Sequence, residues 1–276
     1  MNKLPLIGLV LILTSCSEDD STPPALDNGL VYQFEDGFET AGNDFQELFP
    51  TDGSRWSNLQ LVNPAEGENT VELESTIINS GNNSLRIFAK ASDSILSKAD
   101  IEKSSFSAPE GATIRMNADF YINSANDLQN LLLMDLECCS CWDPIVPDNQ
   151  CPGVRLIIGN NDRLSIERGK ILGSTISQFE VTFPRNEWVN VLWELKLSQN
   201  NDGIIKLFIN NQEVISENEM NMPNAGLFEA EFAKNGIDFE LQEPLFYERF
   251  QIGATANPTS FDIELFIDDV KIEISE

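Results

Sequence analysis

The feature that most constrains this chain is a series of short apolar segments with almost no helical periodicity. From Leu30 onward, segments rich in β-branched and aromatic residues alternate with clusters of Asn, Gly, Asp and Ser, a pattern typical of strands joined by tight turns. We predict an all-β fold, a two-sheet antiparallel sandwich, with residues 30–276 in one domain. The clearest predicted strands are 30–35, 70–74, 84–89, 112–122, 129–137, 153–158, 163–168, 179–183, 188–197, 204–209, 246–252 and 262–274, and 225–233 is read as a short helix or an insertion loop.

Charge and composition exclude several classes of function. The chain has 17 Lys and Arg against 45 Asp and Glu, a formal net charge of -28, and no histidine. Such a negative field repels nucleic acid and anionic membrane surfaces, so neither is an expected partner. Without histidine, Ser-His and Cys-His nucleophile pairs and every His-containing zinc site are excluded.

The N-terminus reads as an export signal. Lys3 is followed by an apolar run over 4–14, which is too short to span a bilayer. The residues Leu-Thr-Ser before Cys16 resemble a bacterial lipobox, which implies that residues 1–15 are a signal peptide and that Cys16 carries lipid. The acidic stretch 17–20 resembles the tag that directs lipoproteins of Bacteroidetes-type bacteria to the cell surface. Residues 16–29 are then a tether, and we expect the protein at the outer membrane and cell surface, in contact with the membrane only through its lipid.

Two hairpins place side chains. A two-residue turn at Asn210-Asn211 predicts one of them. A two-residue turn at Asn160-Asn161 would put Arg155 opposite Ile166, so that Arg155 and Arg168 lie diagonally on one face with Lys170 beyond. We predict that this pair binds an anionic group of a glycan, the alternative being ion pairs with acids such as Glu167.

Four cysteines lie between two predicted strands, at Cys138, Cys139, Cys141 and Cys151. An even number in an exported chain predicts two disulfides, and a four-thiolate zinc site is the alternative. A bond between the adjacent Cys138 and Cys139 would be strained, which favours Cys151 bridging to one of them. Trp142, in the same loop, either stacks on a sugar ring at the sheet rim or packs over the disulfides.

Several motifs carry a family resemblance. The stretch from 186–191 (NEWVNV) through Gly203 to Asn211 resembles the hairpin of concanavalin A-like jelly rolls. The layout of 30–275 most resembles the polysaccharide lyases of the alginate lyase and heparinase I kind, with markers at 34–37 (FEDG), 81–86 (GNNSLR) and 266–272 (FIDDVKI). The resemblance implies a jelly roll with a concave glycan-binding face.

At the catalytic positions of those lyases, the sequence departs from the pattern. Their substrate-neutralising strand best matches 98–102 (KADIE), which makes Lys98 a candidate ligand contact. Their Gln-x-His strand best matches 133–137 (LMDLE), which has no histidine, and in 248–255 (ERFQIGAT) Thr255 replaces the closing tyrosine. A β-elimination needs a base, an acid and a cation, and only the cation is clearly available.

Two other chemistries remain open at the sequence level. A lysine with a lowered pKa can act as a base and a tyrosine as an acid, for which Lys170 and Tyr247 are the candidates. The alternation of Asp135 and Glu137 resembles the acids of jelly-roll glucanases but lacks the third one.

The two ends of the domain suggest structural calcium. The resemblance implies that the first and last strands are adjacent, and Glu35, Asp36 and Asp269 resemble the acids that hold Ca²⁺ in carbohydrate-binding jelly rolls, with carbonyls of 80–83 completing the shell. The alternative is unpaired surface acids.

The leading functional hypothesis is a surface lipoprotein that binds an acidic or neutral polysaccharide in glycan capture or utilisation. A lyase acting on a uronic-acid glycan with Lys170 or Tyr247 is the alternative. A structural subunit of a surface glycan-uptake complex is the third.

Overall fold

The computed structural model describes residues 29–62, 68–92, 97–143, 151–169, 175–256 and 259–276. They form a two-sheet antiparallel jelly-roll sandwich, which confirms the predicted fold class. The signal peptide, Cys16 and most of the tether lie outside these residues. No helix among the described residues is long and apolar enough to cross a membrane.

The eight-stranded sheet has the order β14-β13-β12-β7-β17-β4-β3, with β1 also paired to β17. Its strands are β1 (Leu30–Asp36), β3 (Thr70–Glu74), β4 (Ser84–Ala89), β7 (Thr113–Asn123), β12 (Trp188–Lys196), β13 (Ser198–Ile209), β14 (Gln212–Met222) and β17 (Ile263–Ser275). The long β17 pairs with β4 through its first half and with β1 through its second, so the first and last strands are adjacent as expected.

The seven-stranded sheet has the order β11-β10-β9-β8-β16-β5-β2. Its strands are β2 (Asn58–Val62), β5 (Lys98–Lys103), β8 (Leu131–Glu137), β9 (Gly153–Ile158), β10 (Arg163–Gly169), β11 (Thr175–Thr182) and β16 (Arg249–Ala256). A small two-stranded sheet joins β6 (Ala108–Pro109) to β15 (Phe246–Tyr247). The segment predicted as either a short helix or an insertion loop forms a helix, α1 (Ala225–Ala233). Strands β2, β5, β6 and β14 are absent from the list predicted from the sequence, although the predicted hairpin at Asn210-Asn211 implies β14.

The core lies between the two sheets because apolar residues alternate along their strands. In β12, Val189, Val191, Trp193 and Leu195 are buried, and the residues between them are half-buried. Strand β8 departs from this pattern, since all seven of its residues are buried, including Asp135 and Glu137. The middle of the seven-stranded sheet is therefore buried on both sides, and one of those sides is polar.

The two hairpins differ in how well they were predicted. Asn210 and Asn211 form the expected two-residue turn, with Ile209 opposite Gln212. The turn after β9 uses three residues, 160–162, so Arg155 lies opposite Glu167 instead of Ile166. The physical reason is Asp162, whose buried carboxylate accepts hydrogen bonds from Leu128 N at 2.7 Å and from Arg185 at 3.1 Å and is thereby held within the turn.

This one-residue difference reverses the faces of β10, because successive side chains of a strand point to opposite sides. The prediction that Arg155 and Arg168 share a face is wrong. Arg155 faces away from the core beside Glu167, whereas Arg168 lies opposite Val154 on the core side.

Candidate functional site

The three segments in which the family resemblance placed catalytic positions are adjacent strands of the seven-stranded sheet. They are β8, β16 and β5, in that order across the sheet. In the register, Gln251 of β16 lies opposite Asp135 of β8 on one side and opposite Glu102 of β5 on the other. Arg155 of β9 continues this row beyond Asp135. Polar residues of four strands thus lie side by side.

Along these strands, successive side chains point alternately toward the hydrophobic core and away from it. Phe250 and Ile252 of β16 belong to the hydrophobic core, so Arg249 and Gln251 point to the opposite side. We call this side the outer face of the seven-stranded sheet.

Four acids on the outer face form what we call the carboxylate cluster, Asp100, Glu102, Asp135 and Glu137. Each is less than one-tenth exposed, and Asp100 is fully buried. Buried carboxylates are uncommon unless they are paired or functional. The cluster is therefore the most unusual polar feature of the sheet.

Two side chains of β16 connect the acids of the cluster. Nε2 of Gln251 donates to Oε2 of Glu102 at 3.3 Å and to Oε2 of Glu137 at 3.4 Å. The Arg249 guanidinium contacts the same two carboxylates, at 3.3 Å from Glu102 and 3.0 Å from Glu137. These contacts fix the Gln251 amide so that its oxygen points away from both glutamates.

Two glycines make room for the arginine at the edge of the cluster. Gly153 of β9 lies opposite Gly169 of β10. A Cβ on Gly169 would come within 2.9 Å of Nε of Arg155, and a Cβ on Gly153 within 3.1 Å of Oδ1 of Asp135. Because both positions lack a side chain, Arg155 can reach Oδ2 of Asp135 at 2.9 Å.

Several oxygens of the outer face accept no hydrogen bond from the residues that the structure describes. They are both carboxyl oxygens of Asp100, Oδ1 of Asp135 and Oε1 of Gln251. Burial raises the pKa of Asp100 well above its usual value; Lys98 opposes this shift, and the neighbouring acids Glu102, Asp135 and Glu137 add to it. Since buried polar atoms are nearly always hydrogen-bonded, these four acceptors are exceptions, and all four are shielded from solvent.

The predicted ligand residues are distributed differently from expectation. Lys98 lies on the outer face near Asp100, with Nζ 3.4 Å from Oε1 of Gln60. Arg168 is turned to the interior, where it donates to the Asn221 carbonyl at 3.0 Å and where burial lowers its pKa. The structure brings Arg155 and Lys98 to the same face but separates Arg168 from them.

Trp142 does not stand free at a sheet rim. Its indole packs edge-on against Phe232, with ring centroids 5.6 Å apart, and at 5.2 Å against Phe239. These partners belong to α1 and to the segment that follows it, and Trp142 remains partly exposed, so stacking on a sugar ring stays a prediction.

The lysine and tyrosine proposed for elimination chemistry do not form a described pair. Lys170 lies outside the described residues. Tyr247 is fully buried in β15, and burial raises the pKa of its hydroxyl, with Arg168 opposing and Asp135 adding to the shift. Its hydroxyl therefore does not reach the surface, which removes it as a proton donor to a polymeric substrate.

The cysteines form two disulfides, Cys138–Cys141 and Cys139–Cys151. The predicted disulfides and the bridge from Cys151 to one of the adjacent pair are confirmed. Nη2 of Arg249 contacts the sulfurs of Cys139 and Cys151, so the second bond adjoins the carboxylate cluster. Glu137, Cys139 and Cys151 are the single group of three acid or thiol ligands that converge within the described chain, and their sulfurs are joined to each other.

The carboxylates proposed for calcium are engaged separately. Asp36 holds a bidentate ion pair with Arg55, at 2.5 and 2.8 Å. Glu35 is exposed and pairs with Lys271, and Asp269 accepts from the Ser80 hydroxyl at 2.9 Å. Because Glu35 and Asp36 are adjacent in a strand, they point to opposite sides. These three residues do not fit one calcium ion in the described structure.

Sequence reasoning missed the carboxylate cluster, although a signal was present. The segments 98–102 and 133–137 both contain the pattern D-x-E, and 249–251 reads R-x-Q. Alternate polar residues in three otherwise apolar strands predict one polar face. What the sequence did not indicate is that these strands are neighbours.

Comparison with solved structures shows the same fold. An endo-β-1,4-glucuronan lyase from the fungus Trichoderma reesei superposes with a TM-score of 0.57 at 14% identity, covering 79% of this chain and 90% of that one. The cellulose-induced protein Cip1 gives 0.55 at 16% identity, covering 87% and 96%. Alginate lyase vAL-1 from Chlorella virus gives 0.50 at 11% identity, covering 88% and 99%.

The likeness is one of fold. No protein-family model matches the sequence, and no curated protein matches it either.

Proposed function

We propose that the protein binds a polysaccharide through the outer face of the seven-stranded sheet. The observation that carries this proposal is the row of polar residues that four adjacent strands bring to this face, on which Lys98, Arg155 and Arg249 are partly exposed. Oxygens of a sugar accept hydrogen bonds from such side chains. The glucuronan lyase and the alginate lyase that share this fold support a glycan as the ligand class.

Binding without cleavage is favoured over elimination. The described outer face offers Lys98 as a cation, but its acids are buried and its arginines are ion-paired, whereas elimination also needs an accessible base and a leaving-group acid. Tyr247 is withdrawn into the interior. We therefore expect no unsaturated product when the protein is incubated with uronic-acid polymers, measured by the ultraviolet absorbance of that product. A growing signal would favour the lyase instead.

The test of binding uses one pair of matched variants. Arg155→Ala with Asp135→Ala removes an ion pair from the outer face of the seven-stranded sheet. Arg115→Ala with Glu194→Ala removes a comparable, largely buried pair, at 2.5 Å, from the other sheet. Affinity electrophoresis against a glycan panel should show at least about tenfold weaker binding for the first variant alone, the loss expected for about 1.4 kcal/mol.

Two outcomes would contradict the proposal. If both variants bind as the wild type does, the outer face is not the binding surface. If the wild type retains none of the glycans in the panel, a structural role in a surface complex becomes the better interpretation.

We also propose that the chain is a lipid-anchored protein of the bacterial cell surface, possessing a lipidated Cys16. The support is the apolar segment 4–14 followed by Leu-Thr-Ser-Cys. Cys16→Ser should move the protein from the membrane fraction to the soluble fraction without detergent. Retention of this variant in the membrane fraction would remove the anchor from the proposal.

A further inference from the structure

We infer that the bond between Cys139 and Cys151 is a site of thiol–disulfide exchange, at which an external thiol joins Cys139 and releases Cys151 as a thiolate. We call this bond the outer disulfide and the Cys138–Cys141 bond the core disulfide. The reactant is a thiol or dithiol of low molecular weight. This inference goes beyond the proposed function and does not depend on it.

The first step concerns the access of a thiol to the four sulfurs. Cys138 and Cys141 are fully buried and belong to the hydrophobic core. In the outer disulfide, Cys139 is partly exposed, whereas Cys151 is 2% exposed. The rate of exchange depends on which sulfur a thiolate can reach. We therefore expect attack on the outer disulfide, at Cys139.

The second step concerns the thiolate that leaves. Nη2 of Arg249 lies 2.9 Å from Sγ of Cys151 and also contacts Sγ of Cys139. A guanidinium beside a sulfur stabilises the thiolate, and a stabilised thiolate leaves faster. Ion pairs with Glu102 and Glu137 hold the Arg249 side chain. The guanidinium is therefore in place before the bond between the sulfurs breaks.

The third step concerns the two glutamates, whose negative charges oppose the formation of a second thiolate. Oε2 of Glu137 lies 3.8 Å from Sγ of Cys139. A carboxylate at this distance disfavours a thiolate on Cys139 and can accept a hydrogen bond from a thiol there. After reduction, we therefore place the proton on Cys139 and the negative charge on Cys151, beside Arg249.

The exchange is balanced in atoms and electrons. The sulfur of an external thiolate forms a bond to Sγ of Cys139, the Cys139–Cys151 bond breaks, and its electron pair goes to Sγ of Cys151. With a dithiol, the second sulfur attacks the mixed disulfide, which releases Cys139 and oxidises the dithiol to its own disulfide. Two electrons have then passed to the cystine, while one proton of the dithiol goes to Cys139 and the other to solvent.

The experiment follows the two disulfides separately in the folded full chain. Thiols already present, Cys16 included where it carries no lipid, are first blocked with an alkylating reagent. Dithiothreitol is then added, and the thiols that appear are trapped with a second reagent and assigned to individual cysteines by fragmentation in a mass spectrometer. We expect reduction of the outer disulfide to be at least about tenfold faster than that of the core disulfide. In urea-unfolded chain, this difference should disappear, because the fold then no longer controls access.

A second arm replaces dithiothreitol with glutathione, which has one thiol and therefore leaves the mixed disulfide in place. We expect the glutathione adduct on Cys139 and the trapped thiol on Cys151.

Variants of Arg249 test the role of the guanidinium. Arg249→Gln removes the positive charge beside the sulfurs and should slow reduction of the outer disulfide by about fivefold or more, and Arg249→Lys, which keeps a positive charge, should recover part of the rate. The matched control is Arg86→Gln. Arg86 also bridges two glutamates, Glu72 and Glu264, but on the eight-stranded sheet, and its described contacts include no cysteine. Its replacement should leave the rate unchanged.

Three results would overturn the inference. They are equal rates for the two disulfides in the folded chain, a glutathione adduct on Cys151 instead of Cys139, and exchange in Arg249→Gln as fast as in the wild type at an unaltered melting temperature. If Arg249→Gln does not fold, the position of the adduct in the wild type and the rate of Arg249→Lys decide. None of these measurements involves a glycan, so failure of the proposed function and failure of this inference are distinguishable.

Discussion

Buried acids occur in two regions of this protein, and the two regions differ in whether their carboxylates accept hydrogen bonds from the protein. Where β17 passes from β4 to β1, the carboxylate of Asp36 is held by Arg55 and by the backbone N–H of Phe38. The carboxylate of Asp268 in the same region accepts three backbone N–H groups, from Asn79, Ser80 and Asp269. On the outer face of the seven-stranded sheet, Asp100 is equally buried and accepts none from the described residues.

Burial alone therefore does not identify a functional acid. A carboxylate whose oxygens are all satisfied internally joins segments that are distant in sequence, and it has little capacity left for a ligand. One that stays unsatisfied costs stability, which makes Asp100 a candidate for a role outside the fold. The following predictions test this distinction.

The largest effect is expected for Asp36→Asn. This change leaves the Arg55 guanidinium without its counterion, and breaking a buried pair in this way costs about 3 to 5 kcal/mol of the free energy of unfolding. Urea denaturation followed by tryptophan fluorescence measures it. The control is Asp262→Asn, which breaks an exposed pair with Lys90 and should cost less than about 1 kcal/mol. Equal costs for the two variants would show that the Asp36 pair is not special.

A smaller, pH-dependent effect is expected for Asp268. Burial and the neighbouring Asp269 raise the pKa of this carboxyl from 3.8 to about 6, against the opposing backbone N–H groups. A raised folded pKa means that the folded protein binds the proton more tightly, so this contribution to stability is present below about pH 4 and is lost as the pH rises through 6. Relative to Asp268→Asn, the wild type should lose up to about 3 kcal/mol between pH 4 and 7. A stability difference that stays constant with pH would refute the shift.

The smallest change in stability is expected for Asp100→Asn, although Asp100 is fully buried. No described residue loses a hydrogen bond, so the free energy of unfolding at neutral pH should change by less than about 1 kcal/mol. Because Asp100 adjoins Lys98 on the outer face, the same variant should weaken glycan binding at least tenfold, measured by the affinity electrophoresis described above. A loss of stability as large as that of Asp36→Asn would mean that Asp100 has a structural partner.

Several elements of the fold were predictable because they depend on local pattern. The alternation in β12, the Asn210-Asn211 turn and the boundaries of β3, β4 and β9 follow from side-chain period and turn chemistry, which are properties of adjacent residues. Strand β5 was missed, because Lys98, Asp100 and Glu102 make its outer side look like a loop. A strand that buries charged residues does not carry the usual strand signal.

The sequence by itself determined that the chain is an all-β sandwich with disulfides and an acidic, histidine-free composition. It also predicted the strands that became β8 and β16, whereas the segment of β5 entered only through the family resemblance. Only the tertiary structure decided that these segments are adjacent, that Arg155 pairs with Asp135, and that Arg168 faces inward. The physical reason is that strand order and register are set by contacts between distant residues. One such contact, the hydrogen bonds from Leu128 and Arg185 to Asp162, accompanies a hairpin register that differs by one residue from the prediction and places Arg155 and Arg168 on opposite faces.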